Sequence, residues 1–239
     1  MKKFIVIVLL LFIPNQASAA SKAPILLYHW IDEYKGYGQK ELYVTPENFE
    51  KQMEFLKKNG YTLLTFERFE EIDKVNKPIF ITFDDGWKDN FNALSVFKRL
   101  KDETFAPSGT IFAISDFIGR TERLSASELK SLAHSGYFSI QSHTATHPNL
   151  TKTTNLDYEL KHSKEKIEQI TGKPVMALAY PYGSYNPIVV SGTKKYYQYG
   201  LTTIPGPFIK KQVNDELFLL PRIYVNYSTS LKEFAQLVK

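Results

Sequence analysis

Two short stretches carry side chains whose types and spacing suit chemistry. The apolar run Ile79-Phe80-Ile81-Thr82-Phe83 leads straight into Asp84-Asp85-Gly86, and Phe138-Ser139-Ile140-Gln141-Ser142 leads into His143-Thr144-Ala145-Thr146-His147-Pro148. Adjacent carboxylates at the end of an apolar strand repel each other, and keeping them ionised near a core is costly without a cation or hydrogen-bond donors. Neighbouring strand side chains point opposite ways, so both can serve one centre only if the chain turns, which Gly86 permits. Two imidazoles four residues apart meet on one side of a turn, a spacing that suits a shared divalent ion. Pro148 biases His147 away from a continuing helix, so a tight loop is expected there. Taken singly, a D-D-G turn also serves as a local cap, and paired histidines also serve as structural residues. Together, one carboxylate and two imidazoles make a three-donor set with a position left for water or substrate, and Asp84 is left to take the proton of a metal-activated water.

Composition narrows the chemistry further. There is no cysteine, so thiolate metal sites, iron-sulfur clusters, disulfides and a cysteine nucleophile are excluded, and any metal is held by nitrogen and oxygen. With 239 residues, 43% hydrophobic and 14% aromatic, the chain can build a substantial core and is not disordered as a whole. Thirty basic residues against 25 acidic ones give a net charge of +5, with no Arg/Lys stripe interleaved with aromatics, so no nucleic-acid partner is expected.

The first 19 residues have the layout of a secretory signal peptide: Lys2 and Lys3, an apolar run from Phe4 to Ile13, and the small-residue series Ala17-Ser18-Ala19. That run is shorter than the about 20 apolar residues a membrane span needs. Cleavage after Ala19 is expected, with no stable membrane insertion afterwards. A single domain of residues 20–239 would then be secreted or held at the cell surface.

The elements that must position these side chains are strands alternating with helices. Strands are expected at Ile25–Tyr28, 79–83, 109–114, Phe138–Ser142, 175–180 and 219–225, and 31–43 reads as an irregular Gly- and Tyr-rich loop. Thr45-Pro46-Glu47 opens a helix that Asn59-Gly60 closes. Residues 89–101 supply the next helix. Ser125 and Glu128 have capping-box spacing, and Gly172 ends a long helix over 155–171. Helices of this length between strands imply parallel pairing with right-handed crossovers. The fold class expected is α/β, a single-domain irregular (β/α) barrel of about seven parallel strands with its chemistry at the strand ends.

Thr82-Phe83-Asp84-Asp85-Gly86, His143-Thr144-Ala145-Thr146-His147-Pro148 and Ala179-Tyr180-Pro181-Tyr182-Gly183 together resemble the three leading motifs of the polysaccharide deacetylases with the NodB homology domain, carbohydrate esterase family four. The resemblance implies a distorted (β/α) barrel. It implies Asp84 as general base, a divalent metal (Zn²⁺, with Co²⁺ as the alternative) on Asp85, His143 and His147, and the backbone N–H of Tyr182 at the oxyanion. Two features depart from the common pattern. Ala179 stands where the family usually has the arginine that orients the base, and no histidine follows His162 to supply the usual general acid. A subset acting on exported poly-N-acetylglucosamine rearranges these motifs, and Tyr28-His29 and Pro221-Arg222 are similar to its displaced acid histidine and late arginine. His29 ends an apolar strand, and a near-neutral imidazole there suits proton donation. Arg222 would orient Asp84.

Trp87, Tyr180 and Tyr182 adjoin the motifs and are expected as substrate-binding walls against sugar faces. His134 and His162 fall in helices and read as structural or solvent-facing. The function implied is hydrolysis of the N-acetyl group of N-acetylglucosamine units in a cell-surface polysaccharide, poly-N-acetylglucosamine or peptidoglycan. A non-catalytic glycan-binding domain and an O-acetyl esterase on the same metal are the competing readings.

Overall fold

The computed structural model describes residues 22–239, so the expected signal peptide lies outside the described residues. Eight short parallel strands form the central sheet: β1 Ile25–Tyr28, β2 Thr62–Leu64, β3 Pro78–Phe83, β4 Gly109–Ala113, β5 Phe138–Ser142, β6 Ala177–Ala179, β7 Tyr199–Leu201 and β8 Ile223–Tyr224. Seven of them follow one another in the order β7-β6-β5-β4-β3-β1-β8, and β2 pairs with the first half of β3. The sheet curls until its two ends approach: Leu201 bridges Leu220 just ahead of β8, and Thr202 N–H donates to Leu220 O at 2.8 Å. This is the expected irregular barrel.

β3 and β5 are buried along their whole length, as strands covered on both faces must be. Alternate side chains enter two cores. Ile25, Phe80, Phe112, Ala179 and Leu201 fill the inside with Phe66 and Phe69, whereas Leu26, Ile81, Phe83, Ile111 and Ile140 face the helices. This period of two decides what reaches the barrel mouth. Phe80 and Thr82 of β3 and Asp84 just beyond it share one inner face, as do Gln141 of β5 and His143 just beyond it.

The helices begin where their caps say they should. Thr45 Oγ1 accepts from Asn48 N at the start of α1 (Pro46–Lys58). α2 (Asn90–Leu100) follows, and Ser125 and Glu128 close a reciprocal capping box on α3 (Ala126–Ala133). Gly172, at φ 67°, ends α4 (Ser163–Thr171). α5 (Pro187–Lys194) and α6 (Leu231–Leu237) complete the set.

Several elements depart from expectation. The helix over 155–171 is not uniform, because a π turn, Tyr158–His162, precedes α4. The last strand is Ile223–Tyr224, shorter than 219–225, since Leu220 bonds instead to the neighbourhood of β7. β2 and β7, three residues each, are too short to show a period. The loop over 31–43 is bounded by a ladder, Trp30–Ile31 pairing with Tyr43–Val44.

Candidate metal and catalytic centre

β3 ends in a reversal. Asp85 (φ 75°) and Gly86 (φ 69°) are both left-handed, so the chain folds back and the two carboxylates need not diverge. Asp84 continues the inner face and is buried, 3% exposed, while Asp85 Oδ1 faces His143 Nε2 at 3.7 Å and His147 Nε2 at 3.6 Å. The donor atoms of Asp85, His143 and His147 all lie within 4.8 Å of one another. These separations are too long for hydrogen bonds. The 3.6 and 3.7 Å distances from Asp85 to the two imidazoles fit ligands each about 2.1 Å from a common centre.

The chemistry of the donors fits as well. His143 Nδ1 lies 2.8 Å from the carbonyl oxygen of Ala179, which can only accept, so Nδ1 carries the proton and Nε2 presents a lone pair to the site. Burial, then the neighbouring His143, lowers the pKa of His147 and keeps its imidazole neutral. Trp87 Nε1 donates to Asp85 Oδ2 at 3.1 Å, and Arg123 Nη1 donates to the Asp85 carbonyl at 2.6 Å. The residues present therefore suit a small divalent ion held by one oxygen and two nitrogens.

Asp84 has a different partner. Arg222 reaches in from the residue before β8, fully buried, and places Nη1 2.7 Å from Oδ1 and Nη2 2.8 Å from Oδ2. Its Nε donates to Thr202 O at 3.0 Å. Burial alone would raise the Asp84 pKa, but Arg222, followed by His143, more than reverses this and holds the carboxyl well below the usual carboxylate range. Asp84 is thus a fixed anion, and its Oδ2 lies 3.7 Å from His143 Nε2.

His29 follows β1 at the level of Asp84, whose N–H donates to the preceding Tyr28 O at 2.9 Å. Its ring is parallel to that of Tyr224, with centroids 6.1 Å apart at 9°. Burial lowers the His29 pKa, opposed by the Asp84 and Asp85 carboxylates. Tyr182, at φ 59° and 68% exposed, brings its ring to 4.7 Å from His147. Left-handed non-glycine residues cost about 1–3 kcal/mol each and persist where the surroundings over-determine them. Asp85, Thr144, His147 and Tyr182, one or two from each motif, are all of this kind.

One expected wall is misplaced. Tyr180 is fully buried and gives its hydroxyl to Phe218 O at 3.0 Å, in space left by Gly200, so it belongs to the core. Trp87 packs against Trp30 and Arg123 while it holds Asp85. His134 bonds Thr171 O, and His162 pairs with Asp116, in keeping with structural roles. Sequence reasoning missed Arg123, Tyr224 and Glu159. Glu159 accepts from the amides of Ala145 and Thr146, and its only sequence signal is a carboxylate opening the helix after the histidine loop.

A parallel barrel with carboxylates and imidazoles converging at the carboxyl ends of its strands has its site where such barrels carry their chemistry, and fits the carbohydrate esterase class that the three motifs resemble. A family model for polysaccharide deacetylases matches residues 71–203, which contain all three motifs but neither His29 nor Arg222. YxkH of Bacillus subtilis, which carries a polysaccharide deacetylase designation, is 32% identical over 228 residues, covering 92% of this chain and 77% of that protein. The poly-beta-1,6-N-acetyl-D-glucosamine N-deacetylase of Staphylococcus epidermidis is 27% identical over 226 residues, covering 82% and 75%. A solved polysaccharide deacetylase from Bacillus cereus superposes with a TM-score of 0.91 at 54% identity, covering 92% of this chain and 70% of that one. The chain belongs to the polysaccharide deacetylase family.

Proposed function

We propose that this protein is an exported, metal-dependent deacetylase that removes acetyl groups from N-acetylglucosamine units of a surface polysaccharide, poly-N-acetylglucosamine first and peptidoglycan second. The observation that carries the proposal is the meeting of Asp85, His143 and His147 beside the Asp84–Arg222 pair. Export would follow from cleavage of residues 1–19, leaving residues 20–239 as one domain. Among the described residues no helix is long and apolar enough to cross a membrane.

Asp85, His143 and His147 would hold Zn²⁺, or Co²⁺ in its place. When bound, the ion supplies Lewis acidity at the acetamide carbonyl and a more acidic water. Asp84, aligned by Arg222, accepts the proton of the attacking water. The Tyr182 N–H stabilises charge on the carbonyl oxygen. His29 protonates the departing nitrogen, so the C–N bond breaks to leave acetate and a free amine. The exposed Tyr182 ring offers a wall to the sugar, with Trp87 as a second.

Support for the preferred glycan comes from the Staphylococcus epidermidis relative and from Arg222, which sits where the rearranged motif order would need it. The test is acetate release from matched β-1,6-linked and β-1,4-linked N-acetylglucosamine oligomers and from peptidoglycan, before and after chelation and Zn²⁺ restoration. Release favouring the β-1,6 oligomer, lost and regained with the metal, is expected. No release from any of the three would overturn the assignment.

A further inference from the structure

We propose that Glu159 is a positioning residue that fixes the loop between His143 and His147, and thereby sets the affinity of the two imidazoles for a divalent cation. The inference rests on the metal reading above and goes beyond it to the group that makes the loop competent. Thr144 (φ 67°) and His147 (φ 63°) are both left-handed without being glycine, so this loop will not hold its course unaided. Its ends are tied: His143 N–H donates across the sheet to Ala113 O at 2.9 Å, and His147 N–H donates within the loop to Thr144 Oγ1 at 3.0 Å. Its middle has two backbone bonds, Asp116 N–H to Ala145 O at 3.0 Å and Ala145 N–H to Glu159 O at 3.1 Å, but among the described residues the Thr146 N–H has no backbone acceptor and needs one from a side chain.

Glu159 supplies it. Oε2 accepts from both the Ala145 N–H, at 3.0 Å, and the Thr146 N–H, at 2.8 Å, while Oε1 accepts from Thr146 Oγ1 at 2.6 Å. The carboxylate is only 5% exposed, and among the described residues no lysine, arginine or histidine forms an ion pair with it. A buried carboxylate without a countercharge is costly unless several donors converge on it. Here three converge, and all three belong to the loop. Glu159 also lies in the π turn Tyr158–His162, a local widening of a kind concentrated at functional sites. Ser163, four residues on, donates from Oγ to Thr144 O at 3.0 Å and holds the same loop. The rings of His143 and His147 stand 4.8 Å apart, so a small slide of the loop would separate their donor atoms.

The test uses the mature full chain and three variants, with Zn²⁺ affinity measured by chelator competition and amide exchange of Ala145 and Thr146 measured on metal-free protein. Glu159→Ala removes all three acceptor contacts. Glu159→Gln keeps an oxygen for both amides and can donate its NH₂ to Thr146 Oγ1, so it preserves the clamp without the charge. Thr146→Val removes one arm and is the milder probe. Glu159→Ala should weaken Zn²⁺ binding about 10–100-fold and expose the Thr146 amide to exchange, with a smaller effect on Ala145, whose N–H keeps the Glu159 backbone carbonyl at 3.1 Å. Glu159→Gln should restore most of the affinity and protection. Thr146→Val should fall between. Wild-type affinity and protection in Glu159→Ala, or equal losses in Glu159→Gln and Glu159→Ala, would overturn the proposal. Should wild type bind no Zn²⁺, the metal reading fails separately, and the exchange rates still judge the clamp.

Discussion

Arg222 and Asp84 meet in a two-pronged, fully buried ion pair, Nη1 to Oδ1 at 2.7 Å and Nη2 to Oδ2 at 2.8 Å, across 138 residues of sequence. The arginine enters from the opposite end of the chain to the motif that it serves. Its position answers the absence of arginine at Ala179, whose carbonyl instead orients His143.

Removing one partner from such a pair strands a buried charge. Arg222→Met should cost about 3–5 kcal/mol in urea unfolding, and Arg222→Met combined with Asp84→Asn should cost less than Arg222→Met alone. A double variant as unstable as the sum of the singles would show the two groups to be energetically independent.

Asp84→Asn keeps the shape of the carboxylate and loses its basicity. Acetate release should fall by about 10²–10⁴, since that is the usual worth of a positioned base. An Asp84→Asn protein that turns over as wild type would remove Asp84 from the chemistry.

His29 can be tested through the leaving group. An amine must be protonated as it departs, whereas the phenolate of an aryl acetate need not be. His29→Gln should therefore lose most acetamide hydrolysis while retaining much of its aryl acetate hydrolysis. Equal losses on both substrates would point to a packing role against Tyr224 instead.

Asp89 gives a pH signature away from the ligands. Its Oδ1 accepts the Ile31 N–H at 3.0 Å, and burial pushes its pKa up to about 7, a rise that the Ile31 bond opposes and the Asp32 charge reinforces. With a folded pKa above the unfolded value near 3.9, its favourable contribution is complete below about pH 4 and is lost as pH rises through about 7. Denaturation midpoints should fall over that window in wild type and flatten in Asp89→Asn, which can still accept from Ile31. The same slope in both proteins would assign the effect elsewhere.

Much of this was legible in the sequence, for physical reasons that differ by residue. Asp84, Asp85, His143 and His147 follow apolar strands, where period two and a turn residue announce both burial and exit. The pairing of Arg222 with Asp84 was legible only through the rearranged motif order, because Arg222 has no distinctive local pattern, whereas His29 also stands out as the end of an apolar strand. Glu159 and Arg123 were not legible, since each acts by reaching back across space to a backbone group: Ala145 and Thr146 amides for one, the Asp85 carbonyl for the other. Tyr180 was misread because a tyrosine at a strand end faces the core or the solvent according to register, and here Gly200 opens an interior space for its ring. Strands β2 and β7 escaped because three residues cannot establish a period.

The most direct measurement is the metal content of purified mature protein after Zn²⁺ loading and removal of excess ion. One Zn²⁺ per chain is expected in wild type and in Asp84→Asn, with near-complete loss in Asp85→Ala, His143→Ala and His147→Ala. Stoichiometric Zn²⁺ retained in those three variants, or none bound by wild type, would contradict the assignment of these side chains as a shared metal site.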